Sequence, residues 1–191
     1  MHSVSEKFDL DTYQNVRRLT QLAVEQAAAL IVSGTNHSRG QEIIINELEK
    51  FGITERWHPT KLRIGGDTVK TFREKPDQSI VLQDNDIFFI DVGPVYKEHE
   101  ADYGQTYTVG DDSRLLELAK SAREIFYEVQ AHWRAAGVSG LELYKIASEE
   151  AQKRGLELNT TMDGHRLGDF PHGLFHKGSL RGCQEIPLQN V

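Results

Sequence analysis

The chain has 191 residues, a formal net charge of -7 and one cysteine, Cys183. That length suits one domain, expected over residues 1–191, with a substantial core. The mixed, acidic charge argues against a nucleic-acid footprint or a basic membrane-binding face, no apolar run approaches the roughly 20 residues of a membrane helix, and a lone cysteine excludes an internal disulfide.

A cytoplasmic protein acting on small molecules or peptides, with no nucleic-acid or membrane partner, is the expectation. From Asp11 to about Ile31, Val16, Leu19, Leu22, Ala23, Ala27 and Leu30 recur at helical spacing, and Ser33-Gly34-Thr35-Asn36 ends that helix. A second helix is predicted from about Arg39 to Phe51, with Ile43, Ile44, Leu48 and Phe51 inward and Gly52 as its stop. Between Trp57 and Gly110 the character changes to strands, with β-prone runs at Ile80-Val81-Leu82 and Ile87-Phe88-Phe89-Ile90. Val92 to Val109 reads as a hairpin whose tip lies near Lys97-Glu98-His99-Glu100. A helix from about Ser113 to Ala136 follows, carrying Leu115, Leu118, Ala122, Ile125, Phe126 and Val129 on one side. Ser139 and Glu142 then form a capping box for a helix ending at Gly155, with Leu143, Ile146, Ala147 and Ala151 as its buried stripe. Helix, helix, strands thus occurs twice, and the second copy is short.

The residues with chemistry begin at Asp91, which closes the apolar run Phe88-Phe89-Ile90, and continue at Asp102 across the hairpin. An ionised carboxylate at the end of such a run is costly to desolvate, and a second one nearby adds repulsion; a divalent cation relieves both. Aspartates also settle in turns by bonding local N–H groups, and Asp102 near a hairpin tip fits that reading too. Downstream, Asp163-Gly164-His165-Arg166-Leu167-Gly168-Asp169-Phe170-Pro171-His172-Gly173 reads as a glycine-punctuated loop of the kind that brings imidazoles close to a site, the alternative being that His165 and His172 only hydrogen-bond within a turn-rich strand region. His172 and His176 do not form a helical zinc pair, because Pro171, Gly173 and Gly178 disfavour a helix there. Cys183 has no neighbour that lowers its pKa and is not read as a nucleophile.

Asp91, Asp102, Thr106 and Gly110, followed by Gly164-His165-x-x-Gly168-x-x-x-His172, resemble the motifs of the pita-bread metallohydrolases: methionine aminopeptidases, Xaa-Pro aminopeptidases, prolidases and creatinases. The resemblance implies an α+β pita-bread (creatinase/aminopeptidase-like) fold of two pseudo-related helix-helix-strand halves, the second incomplete. It implies one or two divalent metal ions, with Asp91 on the first, Asp102 bridging and His165 on the second. Carboxylates with imidazole favour manganese, iron, cobalt or zinc over copper. His172 is then the catalytic histidine that contacts substrate or steadies the tetrahedral centre. The implied reaction is cleavage of a peptide or amide C–N bond through a metal-bound hydroxide.

The family also uses two downstream glutamates. Glu185 is the only acid after Asp169, and with Pro187 next but one it does not read as a ligand on a buried strand. Thr71-Phe72-Arg73-Glu74 stands where peptidase members carry a histidine; His58, farther back, substitutes for it only if its loop folds in, and a packing or turn role is the favoured reading. Lys61, Arg63 and Arg166 offer charge for a substrate carboxylate, but exposed basic residues are usually solvated, and the three are left outside the site. A sheet that stops early is expected to leave an edge for a second copy or a partner to cover. Two other functions therefore stand beside the hydrolase: a catalytically incomplete scaffold that binds peptide or protein, and a creatinase-type hydrolase of a non-peptide substrate.

Overall fold

The computed structural model describes residues 6–71 and 73–159. Helices α1 (Leu10–Leu30) and α2 (His37–Lys50) come first, then strand β1 (Glu55–Ile64) and a single 3-10 turn (Gly65–Val69). Strands β2 (Asp86–Tyr96), β3 (His99–Glu100) and β4 (Tyr103–Val109) follow, and helices α3 (Ser113–Ala136) and α4 (Gly140–Lys153) close the described chain. Each helix starts where a short polar side chain meets a free backbone N–H. Asp9 accepts from Thr12, Asn36 from Arg39 and Asp112 from Arg114, and the predicted Ser139/Glu142 capping box is present.

Strand β2 is the spine of an antiparallel sheet, paired with β1 on one side and with β3 and β4 on the other. Strand alternation gives the sheet two faces of opposite chemistry. Leu62 opposes Ile90, and Ile64 opposes Phe88, on the face that packs against Val24 and Ala27 of α1 and Ile44 and Leu48 of α2. Lys61 opposes Asp91, and Arg63 opposes Phe89, one residue out of phase and therefore on the other face. Asp91 consequently sits within a strand: β2 runs on past it through Val92 to Tyr96 instead of ending there. The hairpin turns at Lys97 and Glu98, whose φ angles of 48° and 58° place both in the left-handed region, as a two-residue hairpin turn of matching twist requires.

Three expectations are corrected. Ile80-Val81-Leu82 is not a strand; Val81 makes an isolated bridge to Asn36, and Leu82 exchanges backbone hydrogen bonds with Gly34 and Thr35, which ties this segment to the α1–α2 loop. On α3, Leu118 and Phe126 are 40% and 60% exposed instead of inward, and Phe126 lines an open cavity between α3 and the sheet. Arg63 is not a solvated cation: it is 3% exposed, and its guanidinium donates to the carbonyls of Thr71 and Glu74. The loop after β1 is thereby fastened to the sheet.

The same loop is tied to α2 by a buried polar cluster. The His37 ring nitrogen Nδ1 lies 3.1 Å from the Leu62 carbonyl, and Nε2 lies 3.6 Å from Asp67, which also holds Lys70 at 2.5 Å and the Asp77 N–H at 2.7 Å. Burial keeps the His37 imidazole below its ordinary range, opposed in part by Asp67. Burial pushes the Asp67 carboxyl the other way, but Lys70 and the Asp77 N–H prevail and hold it low. In the unfolded chain the imidazole protonates near pH 6.5; in the folded chain it does so at lower pH. The unfolded state therefore binds more protons as pH falls below about 6.5, and stability falls by up to about 1.4 kcal/mol per pH unit until the folded value is passed. Asp67 adds a loss of the same sign farther into the acid range. Denaturant melts at pH 7 and pH 5 are expected to show this component in the wild type and not in His37→Gln.

Candidate metal centre

Asp91 lies in the middle of β2, and Asp102 lies in the short link between β3 and β4, which brings Asp91 opposite Gly104. The structure adds a third residue. The His58 Nε2 stands 3.8 Å from Asp91 Oδ1 and 3.9 Å from Asp102 Oδ1. One donor atom from each of His58, Asp91 and Asp102 lies within 4.8 Å of the other two. The side chains are 17%, 30% and 24% exposed, so the cluster is shielded yet reachable from solvent.

His58 arrives there through a local irregularity of β1. Pro59 has no N–H to give to a ladder, and the β1–β2 register shifts on both sides of His58. A bulge of this kind re-aims a side chain. The ring lies edge-on to Trp57, with centroids 4.4 Å apart, and the Trp57 indole N–H donates to Ala101 O at 2.9 Å, next to Asp102. His58 Nδ1 is 2.9 Å from the Pro59 carbonyl oxygen. A carbonyl only accepts, so Nδ1 carries the proton and Nε2 of the neutral ring offers its lone pair toward the carboxylates. This is the arrangement of a metal-binding histidine oriented by a backbone carbonyl. Burial opposes charge on this ring, but Asp102 and Asp91 outweigh it and hold the imidazole above its ordinary range.

Gly93 makes the space. It pairs with His58 across the strands, and a methyl group at Gly93 would overlap the His58 imidazole and the Trp57 indole. Gly93→Ala is therefore expected to displace the ring and weaken divalent-metal binding by about 10-fold to 100-fold, the range seen when the residues orienting a ligand are lost. Calorimetric titration with manganese or cobalt checks this.

The residues present fit a divalent cation. Two donors bound at about 2.1 Å from one ion cannot be more than about 4.2 Å apart, and the 3.8 and 3.9 Å separations from His58 satisfy that limit. Two carboxylates and an imidazole are also a suitable donor set for manganese, iron, cobalt or zinc. Asp91 and Asp102 further line a cavity of about 640 Å³, with Phe89 and Thr106 on its sheet wall and Ala122 and Arg123 of α3 opposite. His58 is not among that cavity's lining residues and borders a shallower depression with Trp57 and Thr60.

Of the sequence-predicted ligands, Asp91 and Asp102 are thus brought together. His165 and His172, with Glu185 and Cys183, lie outside the described residues. For His58 the sequence favours packing or a turn over a place in the site, and the structure sets it beside the carboxylates. The signal in the sequence is Gly93 in the run Asp91-Val92-Gly93-Pro94, a gap opposite a Trp57-His58-Pro59 run.

This helix-helix-sheet arrangement is the pita-bread fold. The structure of a methionine aminopeptidase from Thermotoga maritima is similar with a TM-score of 0.68 and 18% identity, covering 82% of this chain and 65% of that one. A prolidase from Thermococcus sibiricus is similar with a TM-score of 0.70 and 17% identity, covering 87% and 45%. Residues 11–188 match the description "Metallopeptidase family M24", and the chain belongs to that family. In sequence it is 27% identical over 150 residues to a methionine aminopeptidase of Archaeoglobus fulgidus, covering 78% of this chain and 50% of that protein. It is 28% identical over 160 residues to one of Pyrococcus horikoshii, covering 83% and 52%. The chain spans about half the length of the curated relatives it matches. No helix among the described residues is long and apolar enough to cross a membrane.

Proposed function

We propose that the chain carries the metal-holding part of a metal-dependent hydrolase of the aminopeptidase or prolidase type, acting on a peptide or amide C–N bond of a small substrate. The observation that carries this reading is the convergence of His58 Nε2 on Asp91 and Asp102 at the edge of a substrate-sized cavity. Membership of a metallopeptidase family supports it.

Asp91, Asp102 and His58 would hold the ion, with His165 as a further ligand. A divalent cation in that position supplies Lewis acidity toward a carbonyl and makes water acidic enough to attack near neutral pH. The chain's own residues do the rest. The Pro59 carbonyl and the Gly93 gap fix the His58 ring; Phe89 and Thr106 shape the wall beside Asp91; and His172 is assigned to the oxyanion. Manganese, iron, cobalt and zinc all suit the donor set.

The test is release of the N-terminal residue from a panel of di- and tripeptides by the full chain supplied with manganese or cobalt. Cleavage is expected to stop with a chelator and return with metal. Stoichiometric metal binding without any cleavage, or cleavage indifferent to both the chelator and Asp91→Asn, would contradict the reading.

A further inference from the structure

The three donors of the metal centre stand on three separate pieces of chain. His58 is on β1, Asp91 is on β2, and Asp102 lies in the link after β3, outside any strand. Strand β2 runs between the other two pieces, because β1 pairs with one of its edges and β3 and β4 with the other. The sheet ladder therefore does not join β1 to the Asp102 link directly.

The Trp57 side chain makes that connection. Its indole N–H reaches across β2 at Gly93 and donates to Ala101 O at 2.9 Å. A Cβ at Gly93 would stand 2.7 Å from the indole nitrogen, so only glycine leaves the crossing open. Ala101 is 1% exposed, and its N–H donates to Pro94 O at 2.9 Å. The residue before Asp102 is thus held from β2 through its N–H and from β1 through its carbonyl. The same indole stands edge-on to the His58 ring, with centroids 4.4 Å apart. One side chain braces the imidazole donor and anchors the neighbour of a carboxylate donor.

The imidazole decides which ions the centre prefers. Calcium takes oxygen ligands, whereas manganese, iron, cobalt and zinc also accept an imidazole nitrogen. A centre whose ring drifts away from Asp91 and Asp102 becomes a two-carboxylate oxygen site, which loses its advantage for transition ions. Residues that orient a ligand without touching the ion govern affinity in this way.

We infer that Trp57 is a positioning residue that holds the His58 nitrogen and the Asp102 link to each other, and that it thereby sets the preference of the centre for transition metals over calcium. This rests on the metal centre of the hydrolase proposed above. Trp57 touches neither ion nor substrate and acts through His58.

The test is calorimetric titration of the full chain with cobalt and with calcium, in the wild type, Trp57→Leu and Trp57→Phe, each checked for retained fold by circular dichroism. The ratio of cobalt to calcium affinity is expected to fall by about 10-fold or more in Trp57→Leu, and by less in Trp57→Phe, which keeps a ring beside His58. In a His58→Ala background, Trp57→Leu is expected to change the ratio no further, the non-additivity of residues that act through one another. A ratio unchanged in both Trp57 variants, whether affinities stay the same or fall equally for the two ions, assigns Trp57 to packing alone and overturns the inference. A wild type that binds neither ion removes the metal centre and the inference with it. A ratio that falls as expected in a chain that cleaves no peptide leaves the inference standing and removes the hydrolase reading instead.

Discussion

Asp102→Asn is expected to lower affinity for manganese or cobalt by more than about 100-fold, since losing a direct carboxylate ligand should exceed the 10-fold to 100-fold cost of losing an orienting group. Peptide hydrolysis should fall with it. A neutral amide supplies no charge to balance the cation, and His58 and Asp91 would be left as the described donors. The fold itself should survive, because Asp102 is 24% exposed and lies in a link between strands, outside the apolar face. Calorimetric titration and a peptide assay, with circular dichroism as the fold control, give the three readings. A variant that binds metal as tightly as the wild type would remove Asp102 from the centre.

The largest expected effect on stability lies one residue out of phase with the site. Phe88 is 1% exposed, and its ring stacks on Tyr107 with centroids 5.4 Å apart. The Tyr107 hydroxyl donates to Glu25 of α1 at 3.3 Å, so one contact chain joins β2, β4 and the first helix. Phe88→Ala removes the ring and leaves a cavity among Ile64, Ile90 and Leu82. The expected loss is about 3–5 kcal/mol, a large fraction of the roughly 5–15 kcal/mol that holds an ordinary domain together. Phe89 points to the opposite face, where it lines the cavity beside Asp91. Phe89→Ala is therefore expected to cost clearly less stability while altering substrate affinity. Denaturant midpoints for the pair of variants separate the two faces of one strand.

The helices were legible because their signals are local. The apolar stripes of α1 and α2, the Gly52 stop and the Ser139/Glu142 box need no knowledge of the rest of the chain. Strand β2 was legible for the same reason, and Asp91 and Asp102 followed from it. What escaped was set by contacts between distant segments. Ile80-Val81-Leu82 has the composition of a strand, but its partners are Asn36 and the residues beside it, which no β-prone run announces. Arg63 reads as a surface cation until the carbonyls of Thr71 and Glu74 close over it. His58 reads as a lone histidine before a proline until the shifted register turns it onto the carboxylates of β2 and the β3–β4 link.

The reassignment of His58 matters most to the chemistry, because it supplies an imidazole to Asp91 and Asp102 from within the first helix-helix-strand unit. It also explains why a residue as small as glycine stands at Gly93, two positions beyond the aspartate in a buried strand.

The most direct measurement of the central claim is the transition-metal content of the purified full chain, determined by elemental analysis beside Asp91→Asn and His58→Ala. At least about one equivalent of bound metal is expected in the wild type, with most of it lost in both variants, since ligands are what hold an ion against exchange and wash. Metal absent from all three proteins after incubation with manganese, cobalt, iron and zinc in turn, or retained equally by all three, would contradict it.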